Sequence, residues 1–178
     1  TTIAVDIGAR EAPDMLVTRT TDALGRLDIL VNGAGINVRK PAASFARTRV
    51  LHLSGISLAI SATARETCFA AMRAARAAGA MVSFDTNHRA RLWPLATARA
   101  ALDAAIALAD ICLPGFDDLA ALTGLARPEA MVAHCLDRGA RIVALKHGAN
   151  GAWIGDGARL VRIAPHACRP VDATGAGD

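Results

Sequence analysis

Tyrosine is absent from the 178 residues, and the aromatic complement is four Phe and two Trp. A mechanism that needs a phenol proton donor is therefore excluded. Lysine is nearly absent: Lys40 and Lys146 stand against eighteen arginines, and the net charge is +4. The cations are scattered and have few aromatic neighbours, so no nucleic-acid-binding stripe is expected. No apolar run reaches the ~18–20 residues needed to cross a bilayer. No charged-then-apolar leader opens the chain either, which predicts a soluble, cytoplasmic protein with no membrane partner. The four cysteines, Cys68, Cys112, Cys135 and Cys168, form no C-x-x-C pair. Buried free thiols in a reducing compartment are expected, with no disulfide framework and no zinc site. What is present is apolar: 53% of residues are hydrophobic and 20% charged, enough to build a packed core.

The apolar residues have a rhythm. Val50–Leu53, Met81–Phe84, Ile111–Leu113 and Ile142–Leu145 are short β-favouring runs. Their spacing, roughly 30 residues, is that of a βαβ unit. The segments between them are Ala-rich. Over 64–78, Cys68, Phe69, Met72 and Ala75 share one helical face and Arg65, Arg73 and Arg76 lie largely on another, with Gly79 as the stop. Near-continuous apolar strands alternating with helices predict an α/β fold with a parallel sheet covered on both sides. After Leu145 the period breaks, and Ala152–Ile154 with Leu160–Ile163 predicts a hairpin. Before Val50, residues 2–5, 11–24 and 27–31 read as a strand–helix–strand unit, with 36–48 as a connection.

Four segments could carry chemistry, and each has a plainer alternative. Asp172-Ala-Thr-Gly175-Ala176-Gly177-Asp178 can present backbone N–H groups to an anion. Its last carboxylate suits proton removal from an attacking hydroxyl. Alternatively it is a Gly-rich turn with an Asp helix cap. Asp85-Thr86-Asn87-His88-Arg89 follows a strand at the carboxyl end, where open parallel sheets bind ligands. It can bind hydroxyls and acidic oxygens, or it is a loop held by its own side chains. Lys146, before Gly148 and Gly151, is a phosphate contact with glycines admitting nucleotide, or an exposed lysine entering a hairpin. Asp117 and Asp118 hold hydrated Mg²⁺, or they simply favour the positive end of the next helix. The five histidines show no metal-ligand spacing; His52 reads as a satisfied core residue.

Taken in order, these motifs carry a resemblance. Leu53-Ser54-Gly55-Ile56, Asp85-Thr86-Asn87-His88-Arg89 with Leu92-Trp93, Lys146-x-Gly148-x-x-Gly151 and Asp172–Asp178 resemble the ribokinase-like (PfkB) carbohydrate kinases. The similar subgroup is the 2-keto-3-deoxygluconate kinases, and the resemblance covers residues 46–178. It implies a three-layer ribokinase-like sheet, incomplete here, and ATP-dependent phosphorylation of a sugar or sugar acid with Mg²⁺. By the same resemblance Asp178 is the catalytic base and Gly175, Ala176 and Gly177 the anion hole. Arg89 and Asn87 would contact the sugar, and Lys146, Gly148 and Gly151 the nucleotide. Asp118 would be the magnesium-linked acid, standing where the family has Glu, with Gly115 in place of the family's Asn.

Residues 1–42 resemble short-chain dehydrogenases, through Asp6 and Gly25–Ile36 with its Asn32-Gly33-Ala34-Gly35. That resemblance implies a Rossmann-like fragment joined to the kinase piece between Pro41 and Arg49, unable to act as a dehydrogenase without tyrosine. The chain opens on Thr1 in a strand-like run and closes on Asp178 in a helix-like one. Both ends are therefore expected to cut folded units. The expected consequences are impaired phosphoryl transfer and exposed sheet edges prone to homo-oligomerise. The alternatives are a non-catalytic chimera or an NAD(P)-dependent dehydrogenase remnant.

Overall fold

The computed structural model describes residues 18–19, 21–23, 29–31 and 48–166. The proposed junction, Asp6, Asn32–Gly35, Cys168 and the whole Asp172–Asp178 motif lie outside the described residues.

Seven strands form one sheet in sequence order: β1 (Ile29–Val31), β2 (Val50–Ser54), β3 (Met81–Asp85), β4 (Ile111–Cys112), β5 (Ile142–Lys146), β6 (Ala152–Gly155) and β7 (Leu160–Ile163). The first five run parallel, and β6 and β7 close the sheet as an antiparallel hairpin. The sheet is thus mixed, with the parallel part and the hairpin where the apolar rhythm puts them. β1, in the segment likened to a dehydrogenase, is hydrogen-bonded to β2, with Leu30 opposite Leu51.

Between β2 and β5, five helices connect the strands: α1 (Gly55–Ala59), α2 (Ala62–Ala77), α3 (Leu95–Ile106), α4 (Phe116–Thr123) and α5 (Pro128–Asp137). α2 starts where the Ser61 hydroxyl accepts the Ala64 N–H at 3.0 Å. Its inward face is Ala64, Cys68, Met72 and Ala75, as the periodicity predicts. α5 begins with Pro at its first position, where no N–H is missed. The core gathers Leu58, Met72, Val82, Phe84, Leu102, Leu119, Val143 and Leu145 between helices and strands. β3 is buried at four successive residues, Val82–Asp85, so both its faces are covered. At the hairpin edge, Leu160, Val161 and Ile163 stay exposed. Among the described residues no helix is long and apolar enough to cross a membrane.

Cys68, Cys112 and Cys135 are free and buried, as the sequence predicts. A hydrogen bond to Cys135 and burial push the Cys112 thiol well above its ordinary value, which makes it inert as a nucleophile. His52 is satisfied: its Nδ1 lies 3.0 Å from the Ser83 hydroxyl. On α5, burial and the neighbouring Arg138 lower the His134 pKa below 6.5. The unfolded chain therefore takes up this proton first as pH falls. His134 contributes stability that is present above 6.5 and lost as pH drops through the window between that value and the lower folded one. Urea titrations at stepwise pH should show this slope in the wild type and lose it in His134→Phe.

Candidate active site

The parallel strands β3, β4 and β5 point their carboxyl ends the same way, and β3 and β5 run past the end of β4 to the polar residues Asp85 and Lys146. β4 is only two residues long. After it the chain bends through Leu113-Pro114-Gly115, with Leu113 N–H still bonded to the Phe84 carbonyl at 2.8 Å. Gly115 then pairs with Lys146 as an isolated parallel bridge, and the Lys146 N–H donates to the Pro114 carbonyl at 2.8 Å. The early end of β4 lets side chains from β3 and β5 meet. Asp85, the last residue of β3, has a side chain only 8% exposed, and its Oδ2 accepts from Lys146 Nζ at 2.5 Å. Lys146 is thus not the freely exposed hairpin lysine of the plainer alternative. Its ammonium is tethered to a buried carboxylate from 61 residues earlier in the chain, although its own side chain remains 37% exposed.

A second connection lies beside the first. Thr86, fully buried, donates its hydroxyl to Asp118 Oδ2 at 3.0 Å and accepts the Gly115 N–H at 3.3 Å. The same Asp118 oxygen accepts the His88 N–H at 3.0 Å. Asp118 sits in the first turn of α4, where the helix dipole favours its charge. It is a first-turn acid, as the plainer alternative has it, and it also ties the loop after β3 to the start of α4. Asp117 points out, exposed. Thr86→Val removes one hydroxyl and keeps the shape. It leaves Asp118 and the Gly115 N–H short of a partner, at an expected cost of about 2 kcal/mol in urea denaturation.

The loop after β3 is locally braced. Asp85 Oδ1 accepts the Asn87 N–H at 3.1 Å, and Asn87 has φ +30°, a left-handed conformation that Asn tolerates better than most residues. Its backbone role is thus distinct from any contact its amide makes with a ligand. Arg89 is exposed at the end of this loop. Trp93 anchors the loop from below: it is 6% exposed, and the Arg65 guanidinium lies 5.3 Å from its ring centre. Arg65 Nε also donates to the Leu58 carbonyl at 3.3 Å, which ties α1, α2 and the loop together.

Beyond β5, His147 stacks on Phe116 with ring centres 4.0 Å apart. A short 3-10 turn, Gly148–Asn150, leads into β6. Gly148 has φ +50° with open space where a Cβ would stand. Gly151 has φ +89°, and a Cβ there would collide with the Ile163 carbonyl and reach within 3.0 Å of Pro165 N. Packing against the backbone after β7 is therefore enough to require glycine at 151.

Among the described residues no group of three His, Cys, Asp or Glu side chains converges. Mg²⁺ usually keeps several waters and takes only one or two carboxylates, so the test is the type of donor rather than a closed cage. Asp118, whose Oδ2 accepts from Thr86 and His88, supplies a hard oxygen donor of that kind at the start of α4.

Asn87 and Arg89 lie in the loop after β3, Asp118 in the first turn of α4, Lys146 at the end of β5, and Gly148 and Gly151 in the turn that follows it. Lys146 is tied to Asp85, and Asp118 to Thr86 and His88. Asp178, Gly175, Ala176 and Gly177 lie outside the described residues. Sequence reasoning missed the roles of Asp85, Thr86 and the Phe116–His147 stack. A signal existed for Asp85, a carboxylate ending an apolar strand, but its partner depends on how far β4 reaches.

A family model described as pfkB family carbohydrate kinase matches residues 9–178. The 2-dehydro-3-deoxygluconokinase of Bacillus subtilis is 36% identical over 137 residues, 72% of this chain and 40% of that protein. A crystal structure of a PfkB protein from Polaromonas sp. JS666 superposes with a TM-score of 0.70 at 37% identity, covering 78% of this chain and 45% of that one. Aminoimidazole riboside kinase from Salmonella enterica, complexed with aminoimidazole riboside and an ATP analog, gives a TM-score of 0.65 at 29% identity, covering 71% of this chain and 43% of that one. The chain spans less than half the length of these relatives. The likeness of residues 1–42 to short-chain dehydrogenases gains no support, since the kinase family model begins at residue 9 and runs through most of that segment. With a match over nearly its whole length and the ribokinase-like α/β fold of its structural neighbours, the chain belongs to the pfkB family of carbohydrate kinases.

Proposed function

We propose that these residues serve ATP-dependent phosphorylation of a sugar acid of the 2-keto-3-deoxygluconate type. The observation that carries the reading is the Asp85–Lys146 pair at the carboxyl ends of β3 and β5, beside the loop that bears Asn87 and Arg89. Lys146 offers a positive charge to the donor's phosphates, and Asp85 holds its ammonium in place so that little freedom is lost when phosphate arrives. Arg89 presents a fork that matches a carboxylate, which separates an acidic sugar from a neutral one. Asn87 adds hydroxyl contacts from the braced loop.

In the transfer itself, Asp178 takes the proton of the sugar hydroxyl while that oxygen bonds to the γ-phosphorus. The bond to the ADP oxygen breaks, and the N–H groups of Gly175, Ala176 and Gly177 donate to the phosphoryl oxygens on which charge develops. Asp118 would be the carboxylate that holds Mg²⁺, which would supply neutralisation of the phosphate charge.

The test is a thermal-shift titration followed by turnover. ATP with Mg²⁺ should stabilise the chain by about 2.7 kcal/mol at a hundredfold excess over Kd, and NAD should not. With 2-keto-3-deoxygluconate present, phosphorylated product should form, and Asp178→Asn should cut its rate by about 10²–10⁴-fold. Stabilisation by NAD alone, or turnover that survives Asp178→Asn unchanged, would overturn the reading.

A further inference from the structure

Three hydrogen bonds give the turn between β5 and β6 its shape. His147 N–H donates to the Gly151 carbonyl at 2.9 Å, Asn150 N–H to the His147 carbonyl at 2.9 Å, and Gly151 N–H to the Gly148 carbonyl at 3.1 Å. All three stay within residues 147–151, so they fix the form of the turn and not its place. None of them uses the N–H of Gly148 or Ala149, as an anion-binding turn requires.

The place of the turn is set at three points. Where it begins, Lys146 N–H is bonded to the Pro114 carbonyl at 2.8 Å. Where it ends, Gly151 passes against the Ile163 carbonyl. Between them the His147 ring lies on Phe116, with ring centres 4.0 Å apart and planes 10° from parallel. Asn150 Nδ2 lies 3.2 Å from His147 Nε2, so the same ring also carries the far side of the turn. Phe116 opens α4, two residues before Asp118, and packs against the hydrophobic core. The imidazole thus joins the turn to a helix start that is itself anchored. A turn with glycine at two of its positions has much freedom to lose when a ligand orders it, and a ring held on an anchored partner removes that freedom beforehand.

We propose that His147 is a positioning residue for nucleotide binding: stacked on Phe116, it holds the Gly148–Asn150 turn in its binding shape against the start of α4. The proposal rests on the reading of Lys146, Gly148 and Gly151 as nucleotide contacts. It does not require His147 to touch the nucleotide.

The test is isothermal titration of the chain with Mg-ATP, using the wild type, His147→Ala, Phe116→Leu, the double variant and His147→Phe. His147→Ala and Phe116→Leu should each weaken ATP binding by about tenfold, and the double variant no further, because both remove one contact. His147→Phe keeps a flat ring for Phe116 and loses Nε2, and it should bind close to the wild type. Urea denaturation of the same variants reports stability separately. If Phe116→Leu does not fold, His147→Ala and His147→Phe decide between them. A merely structural role would lower the urea midpoint and leave the ATP affinity of the folded chain unchanged, and that result overturns the proposal. A double variant whose loss is the product of the two single losses, or His147→Phe as weak as His147→Ala, overturns it too. A wild type that binds no ATP would instead overturn the nucleotide reading itself, and this proposal with it.

Discussion

Lys146→Met is expected to abolish stabilisation by ATP and to lower the stability of the free chain as well. The second effect follows from burial: the substitution leaves the Asp85 carboxylate, 8% exposed, without its cation. Breaking a fully buried pair costs about 3–5 kcal/mol. Lys146 keeps 37% of its side chain exposed, so screening reduces the expected loss to about 1–3 kcal/mol. The two effects can be separated. In Asp85→Leu combined with Lys146→Met, no charge is stranded, and stability should recover toward the wild type while ATP stabilisation stays lost. Urea denaturation with and without Mg-ATP measures both. Recovery of ATP binding in the double variant would show that Lys146 is a structural tie and not a phosphate contact.

Gly55→Val should be the most damaging single change to the fold. α1 begins directly against the loop after β3, and a Cβ at residue 55 would collide with the Thr86 carbonyl oxygen and lie 2.9 Å from Leu102 Cδ2. A backbone carbonyl cannot swing aside as a side chain can, so Thr86 must move, and its hydroxyl then leaves Asp118. A loss of about 3 kcal/mol or more is expected in urea denaturation. Gly79→Ala provides the contrast: its φ is +80° but nothing lies within 4 Å of an added Cβ. Only conformational strain remains there, about 1–2 kcal/mol. Equal losses at the two positions would mean that α1 does not pack as closely on the loop as its geometry implies.

Much of this architecture is legible in the sequence because burial imposes a period. Leu51 and Val82 are strand partners, as are Ile111 and Ile142, so the apolar markers of the βαβ rhythm sit opposite one another in the sheet. Between β3 and β4 the register shifts by one, with Ser83 opposite Ile111. The α2 face and the β6–β7 hairpin follow from equally local signals, helical periodicity and a break in the apolar pattern. The site is legible only in pieces. Each loop after a strand shows its polar residues, yet the link from Asp85 to Lys146 needs a third strand between them to stop after two residues. Thr86 and Asp118 meet for a similar reason, across a loop and a helix start 32 residues apart. Gly151 shows the converse: its glycine is legible, but the Ile163 carbonyl that requires it lies across the hairpin. Such contacts depend on where elements end, which local periodicity specifies least well.

The central claim is that Lys146, held by Asp85 at the ends of the parallel strands, receives the phosphates of ATP. A crystal structure of the chain with a non-hydrolysable ATP analogue tests it most directly. The account predicts Lys146 Nζ within hydrogen-bond reach of a β- or γ-phosphate oxygen while Asp85 stays beside the same ammonium. A nucleotide bound elsewhere, while Lys146 remains closed on Asp85, would contradict it.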